Sequence, residues 1–127
     1  MIGVGSSDSA SIHIGAKTMA RVNGHVPVFN TANGGSADIF TNDLIPQGPG
    51  SVLTIGVCLS AAVKLNLMID NGSTTITVVL NDDANLTANA GKTFTWPAYP
   101  GYTYNLQPSG AATVLWCSIR DVCSGGI

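Results

Sequence analysis

Alternating apolar and polar positions run through the centre of the chain, in residues 51–80. Between residues 63 and 70 the odd-numbered positions are all apolar, whereas the even-numbered positions are polar except for Met68. A period of two is typical of a strand with one buried face. Asn71 and Gly72 follow, and both residue types tolerate the positive φ of a tight turn before a second apolar stretch. The pattern predicts a β-hairpin at the centre of the fold.

Further short extended stretches lie on both sides of this hairpin. In residues 20–29, Pro27 cannot donate a hydrogen bond to a ladder, so we predict a strand that lies at a sheet edge or carries a bulge. Residues 37–45 hold a short apolar segment that ends in a loop rich in Pro and Gly. Residues 92–96 and 102–106 alternate cleanly between apolar and polar side chains, which predicts two more strands.

The last extended stretch, residues 112–122, is apolar on both faces. Strict alternation assigns Val114 and Trp116 to one face, and Cys117 and Ile119 to the other. Strands that are apolar on both faces are typical of covered positions in a sheet. We therefore predict a central strand that lies close to the 51–80 stretch.

The fold class follows from the sum of these stretches. No window of a dozen residues carries an apolar stripe with helical spacing, and turn residues recur every ~8–12 positions. This pattern is typical of an all-β, antiparallel β-sandwich, and the absence of the immunoglobulin Cys, Trp and Cys spacing favours a jelly roll. We predict a flexible N-terminal arm at residues 1–19, a sandwich domain at 20–122 and a loose tail at 123–127. Within the arm, residues 12–14 form a short strand.

Composition indicates that this domain belongs to an assembly. Hydrophobic residues make up 45% of the 127 residues, but charged residues only 9%, against roughly 25% in an ordinary soluble domain. The exterior is therefore built from Ser, Thr, Asn and Gly. Such a surface suits a protein that is covered by copies of itself or by partners.

Charge and hydropathy exclude two classes of partner. A net charge of −2 with five scattered Lys and Arg gives no field that would attract nucleic acid. The apolar runs are far shorter than the ~20 residues that cross a bilayer. Residues 1–4 lack the basic start of a secretory signal, so we expect a soluble chain without its own export address.

Candidate catalytic and metal-binding residues form no recognisable motif. His13 and His25 stand alone, and no GxSxG accompanies them, so we predict that the protein is not an enzyme. The oxygen donors of residues 81–85 lack the spacing and the Glu of a calcium loop, which favours a solvated turn. The three cysteines have no CxxC spacing, and we expect Cys58 and Cys117 to be small buried side chains. No cofactor is predicted.

Aromatic residues cluster around the loop at residues 97–101. Trp96, Tyr99, Tyr102 and Tyr104 all lie in or beside it, and such rings stack on sugars or on neighbouring proteins. Alternation directs Trp96, Tyr102 and Tyr104 towards a core, which leaves Tyr99 as the surface residue.

The second half of the chain resembles a known group of proteins. With the hairpin, the resemblance covers roughly residues 36–122 and depends on turn and core residues rather than on an active site. The chain is similar to small β-sandwich proteins of tailed-phage virions. The residues that carry the resemblance are Leu80, Asn81, Leu86, Ala88, Thr93, Phe94, Gly101, Tyr102, Tyr104, Asn105, Leu106, Gln107, Arg120, Asp121 and Val122.

The resemblance implies a structural role without catalytic residues. We expect a capsid decoration or cement protein that binds the major capsid protein across capsomer junctions, forms a homo-oligomer, most simply a trimer, and is located on the virion after assembly in the host cytoplasm. The alternative is a carbohydrate-binding or receptor-binding jelly-roll module of a phage head or tail, with Trp96 and Tyr99 as contacts. The predicted interface residues are Ile12, Ile14, Met68, Trp96 and Tyr99.

Overall fold

The computed structural model describes the backbone of residues 11–14, 17–20, 27–46 and 50–123, with the side chains of 27–46 and 50–122. These residues form nine strands and no helix. The strands are β1 (Ser11–Ile14), β2 (Lys17–Ala20), β3 (Val28–Asn33), β4 (Ser51–Leu59), β5 (Leu65–Asp70), β6 (Thr75–Val79), β7 (Lys92–Ala98), β8 (Thr103–Pro108) and β9 (Ala112–Cys123).

Two antiparallel sheets build the body of the protein. One has the strand order β3-β9-β4-β7, and the other has the order β6-β5-β8. Strands β1 and β2 pair with each other as a separate two-stranded sheet. The two larger sheets share one buried core, to which Leu53 and Ile55 of β4 and Leu67 of β5 contribute. The prediction of an all-β, antiparallel β-sandwich is confirmed.

The predicted hairpin is formed by β5 and β6. Asp70 pairs with Thr75 at its closed end, and the Asn71 side chain accepts hydrogen bonds from the backbone N–H groups of Ser73 and Thr74. Gly72 has a φ of 99° there, which glycine adopts without steric cost. The first part of the 51–80 stretch, β4, lies instead in the four-stranded sheet, so this stretch contributes to both layers.

The last strand is central, as predicted, because β9 lies between β3 and β4. The predicted assignment of its faces is wrong. Cys58 of β4 pairs with Trp116, but the next residue pairs with Val114, so the register shifts at Leu115. A β-bulge of this kind reverses the alternation, and Val114 joins Cys117 in the core.

The same bulge turns Trp116 to the outer face of the sheet. Its ring lies over two glycines: a Cβ atom at Gly56 would be 2.7 Å from it, and one at Gly91 would be 3.1 Å away. The bulky ring therefore fits only because these two positions lack side chains.

The residues between β3 and β4 complete the other layer. They run along β8, where the Ile39 N–H donates to the Leu106 carbonyl at 2.8 Å, and Leu44 and Tyr104 exchange two backbone hydrogen bonds of 2.8 and 3.0 Å. Phe40 and Leu44 are buried in the core. The segment of residues 36–44, here called the cover segment, thus protects the β8 edge. Strand β3 follows Pro27 and lies at the edge of its sheet among the described strands, as predicted.

Candidate functional site

An apolar groove of about 470 Å³ opens at the opposite side of the sandwich, between β6 and β7. We call it the aromatic groove. The hairpin provides the aliphatic side chains, and the residues around the β7–β8 loop provide the rings. Ile76 is 48% exposed in this groove and Tyr99 is 59% exposed beside it. The lining residues are Ile69, Ile76, Val78, Trp96, Tyr99, Tyr102 and Tyr104.

The strand register explains how these rings meet. Trp96 lies on the inner face of β7, where it pairs with Leu53. Among the described strands β7 lies at the edge of its sheet, and the ring is half-buried. Tyr104 pairs with Ile69 on the inner face of β8. Tyr99 lies in the loop between these strands. Strands of both sheets therefore bring Ile69, Trp96 and Tyr104, which are far apart in the sequence, into the same groove.

One hydrogen bond fixes the position of the loop. The Tyr99 backbone N–H donates to the Tyr104 hydroxyl oxygen at 3.0 Å. Burial raises the pKa of Tyr104 above its ordinary value, while this hydrogen bond lowers it by a smaller amount. The phenol therefore stays protonated at neutral pH. The Tyr99 ring projects from a backbone that is held in place.

The chemistry of the aromatic groove is that of hydrocarbon and phenol. Among the residues that the structure describes, no charged or amide side chain lines it. An apolar partner would gain about 25 cal/mol for each Å² of surface that the groove removes from water. The groove is suited to binding an apolar surface.

The outer face of the four-stranded sheet is a second candidate surface. The register places side chains of β3, β9, β4 and β7 on it, and among the strand residues that the structure describes Arg120 is its single charge. Phe29 is 63% exposed there and Val122 is 40% exposed. Other strand residues that the register places on this outer face include Val52, Thr54, Gly56, Cys58, Thr93, Thr95, Pro97, Trp116 and Ser118.

The predicted interface residues fall into three places. Trp96 and Tyr99 meet in the aromatic groove. Met68 is half-buried on the outer face of the three-stranded sheet, in a cleft of about 180 Å³ that carboxylates of Asp38, Asp43 and Asp70 also line. Ile12 and Ile14 lie on β1, and their side chains are outside the described residues, as are those of His13 and His25.

The predicted oxygen-donor cluster forms a turn. Asn81, Asp82 and Asp83 all have φ between 54° and 64°, a region that Asn and Asp tolerate better than most residues. The Asp83 carboxylate lies 3.3 Å from the Lys64 ammonium. Within the described ranges, no group of three or more His, Cys or acidic side chains is placed to hold a metal ion.

Both cysteines of the sandwich whose side chains are described are free and buried, as predicted. Cys117 lies in the core, and burial raises its pKa to about 12. Its thiol is therefore unreactive at neutral pH. Cys58 lies on the other face of the same sheet, beside Trp116.

The sequence pattern does not predict that Ile76, Val78 and Phe29 belong to these two surfaces. Ile76 and Val78 belong to an alternating strand, and alternation alone assigns them to the core. They line an open groove because β6 is the outermost described strand of its sheet. The exposure of Phe29 had one signal in the sequence, because Phe29 follows Pro27 and Pro27 predicts an edge strand.

Comparisons with family models, with curated proteins and with solved structures found no match to this chain. The residues that the structure describes define the class: they are all-β, with a four-stranded and a three-stranded antiparallel sheet that share one core and a separate β1-β2 pair. The similarity to phage virion proteins remains a prediction from the sequence motifs. In the part of the chain that the structure describes, no helix has the length and apolar character needed to cross a membrane.

Proposed function

We propose that the protein is a virion structural protein, a capsid decoration protein that stabilises the shell by binding the major capsid protein across capsomer junctions. One observation carries this proposal: the outer face of the four-stranded sheet combines exposed Phe29 and Val122 with one charged side chain among its described strand residues, Arg120. Protein interfaces are depleted of charge at their centre and enriched in aromatic residues. The virion, assembled in the host cytoplasm, is the corresponding location.

This face fits a protein partner better than the face that carries Met68. The Met68 cleft is lined by three carboxylates, and the cover segment runs along the same sheet. Burying carboxylates in an interface costs desolvation free energy. Thr54, Thr95 and Ser118 instead present small hydroxyl groups that lose little conformational entropy on association.

Jelly-roll connectivity is part of the proposal. From β3 onward two consecutive pairs of strands share a sheet, β3 with β4 and β5 with β6, and the cover segment, which runs along β8 in the other layer, lies between β3 and β4. If the cover segment counts as the eighth strand, each layer has four, as in a double-sheet jelly roll. Viral capsid domains and lectin domains both use this architecture, so the connectivity is compatible with both functions but selects neither.

Binding to capsids tests the proposal. Purified protein should cosediment with shells of the major capsid protein at a fixed stoichiometry. The variant Thr95→Glu places a charge on the outer face and should weaken binding by roughly tenfold or more, because a carboxylate would be desolvated in the contact. The control Thr77→Glu alters an exposed strand threonine on the opposite sheet and should bind normally. Equal binding of both variants, or no cosedimentation of the unmodified protein, would reject this function.

A carbohydrate-binding or receptor-binding module is the second candidate. The observation in its favour is that Trp96 and Tyr99 share one open groove with two further tyrosines, since aromatic rings stack on sugar faces. Glycan-array binding that disappears in Tyr99→Ala would support it. Against it, the described residues that line the groove include no amide or carboxylate to hydrogen-bond sugar hydroxyls.

A further inference from the structure

We propose that the aromatic groove is a self-association site, in which Tyr99 of one copy packs against the groove of a second copy of this chain. This contact is distinct from the proposed capsid contact on the outer face. It requires no capsid and can be measured with the purified protein alone. The two proposals can therefore fail independently.

The lining of the groove determines the chemistry of the occupant. In the described part of the chain, three aliphatic side chains and four rings line it, and none of the lining side chains is charged or an amide. A sugar, a phosphate or a charged peptide would lose hydrogen bonds to water that the tyrosine hydroxyls and the single indole N–H of this lining replace only in part. An apolar protein surface loses nothing of this kind. The occupant is therefore an aliphatic or aromatic side chain presented by a protein.

Tyr99 is such a side chain, and it is prepared for contact. It lies one residue before Pro100 and two after Pro97, so fixed φ angles restrict the loop. The hydrogen bond from its backbone N–H to the Tyr104 hydroxyl is 3.0 Å long. A ring on a rigid loop loses little conformational entropy when it binds, and exposed tyrosines of this kind dominate many interfaces.

A second copy is favoured because the projecting ring and the groove belong to the same patch. When one surface carries both a projection and a complementary depression, two copies can satisfy each other, and several copies can close a ring. The apolar surface also continues around the β7 edge. Pro97 pairs with Val52, and Val52 pairs with Val122, on the adjoining outer face. The low charge content, 9% of residues, provides little repulsion between copies.

Sedimentation equilibrium of the full chain over a wide concentration range is the experiment. We expect a reversible dimer or trimer whose dissociation constant rises roughly tenfold or more in Tyr99→Ser, the scale of a single hot-spot residue. Ile76→Ser should weaken association in the same way from the groove side. The matched control is Phe29→Ser, because Phe29 is equally exposed but lies on β3 at the far edge of the sheet. Far-UV circular dichroism checks that each variant is folded.

Four results would overturn the inference. They are a protein that is monomeric at every concentration, an oligomer that Tyr99→Ser leaves unchanged, equal weakening by Phe29→Ser, and glycan binding at the groove without self-association. Loss of association in Tyr99→Ser with capsid binding retained would support the groove contact and would show that it is separate from the capsid contact. Loss of capsid binding with association retained would reject only the capsid proposal.

Discussion

The two sides of the sandwich are closed by different means. Along β8 the chain supplies its own cover segment, which exchanges backbone hydrogen bonds with the strand and buries Phe40 and Leu44 in the core. Along β6 and β7, among the described residues, no strand bridges the two edges. The aromatic groove lies there instead.

The covered side therefore contributes mainly to the stability of the fold, and the open side offers surface for binding. A segment that pairs its backbone and buries apolar side chains stabilises the fold, whereas half-exposed rings retain surface that a partner can remove from water. Tyr104 connects the two sides, because its backbone bonds to Leu44 and its hydroxyl accepts from Tyr99. We therefore expect mutations on the covered side to change unfolding, and mutations on the open side to change association.

A large effect is expected from Leu44→Ala, on the covered side. Leu44 is fully buried, so truncation leaves a cavity and should lower the free energy of unfolding by about 3 kcal/mol. Urea denaturation measures this value. Ile76→Ala, on the open side, is the control and should cost about 1 kcal/mol or less, because the side chain is already half in water. Similar losses in the two variants would contradict the proposed difference between the sides.

Asn105→Ala tests the hydrogen bonds of the cover segment. The Asn105 side chain donates to the Phe40 carbonyl at 2.9 Å and to the Asp43 carboxylate at 3.0 Å, and it accepts from the backbone N–H groups of Phe40 and Leu106. Removing it leaves buried groups without these bonds, and the expected loss in thermal unfolding is about 2 kcal/mol.

The control for Asn105 is its neighbour on the same face of β8. Gln107 donates to the Asp38 carboxylate at 2.8 Å in an exposed position, so Gln107→Ala should cost less than about 0.5 kcal/mol. If both variants unfolded at the same temperature, the cover segment would be held by burial alone.

Local sequence patterns predicted the strands, but they did not predict which segments cover the edges of the sandwich. Alternation in residues 63–70 predicted β5, and the turn at Asn71 predicted its hairpin partner β6, because each signal is contained in a short stretch of the chain. Pro27 correctly predicted an edge. The pairing of the cover segment with β8 joins residues more than 60 positions apart, and its few apolar residues do not show which edge they cover.

The aromatic site was predicted in part for the same reason. The rings of Trp96, Tyr99 and Tyr102 cluster in sequence, so their proximity was foreseeable. Ile76 completes the groove only because β6 and β7 face each other from different sheets. Trp116 was misplaced because a bulge at Leu115 reverses the alternation, and no residue type in that stretch marks the bulge.

We expect the free energy of unfolding to depend on alkaline pH through Tyr104, the residue that contacts both sides of the sandwich. Burial raises the pKa of Tyr104 above its ordinary 10.0, so the folded chain holds this proton more tightly than the unfolded chain. The contribution to stability is complete below about pH 10 and is lost as the pH rises further. Tyr104→Phe should cost about 1 kcal/mol at pH 7 for the lost hydrogen bond, and this difference should shrink above pH 10.

The burial of Cys117 produces its own alkaline loss in both proteins, so it cancels in the difference. Urea unfolding at pH 7 and at a series of alkaline pH values gives the comparison. A difference that stays constant or grows with pH would show that the Tyr104 proton is not held by burial.

The smallest effect on unfolding is expected at the most exposed ring of the groove. Tyr99→Ser should change the free energy of unfolding by less than about 0.5 kcal/mol, because the side chain is 59% exposed and the loop is anchored through its backbone N–H. Tyr104→Ala removes a buried ring a few residues away and should cost about 3 kcal/mol or more. Thermal unfolding at a concentration low enough to keep both variants monomeric makes this comparison. A Tyr99→Ser loss as large as that of Tyr104→Ala would show that the ring supports the fold, and the open side would then be closed by its own aromatic residues rather than available to a second copy.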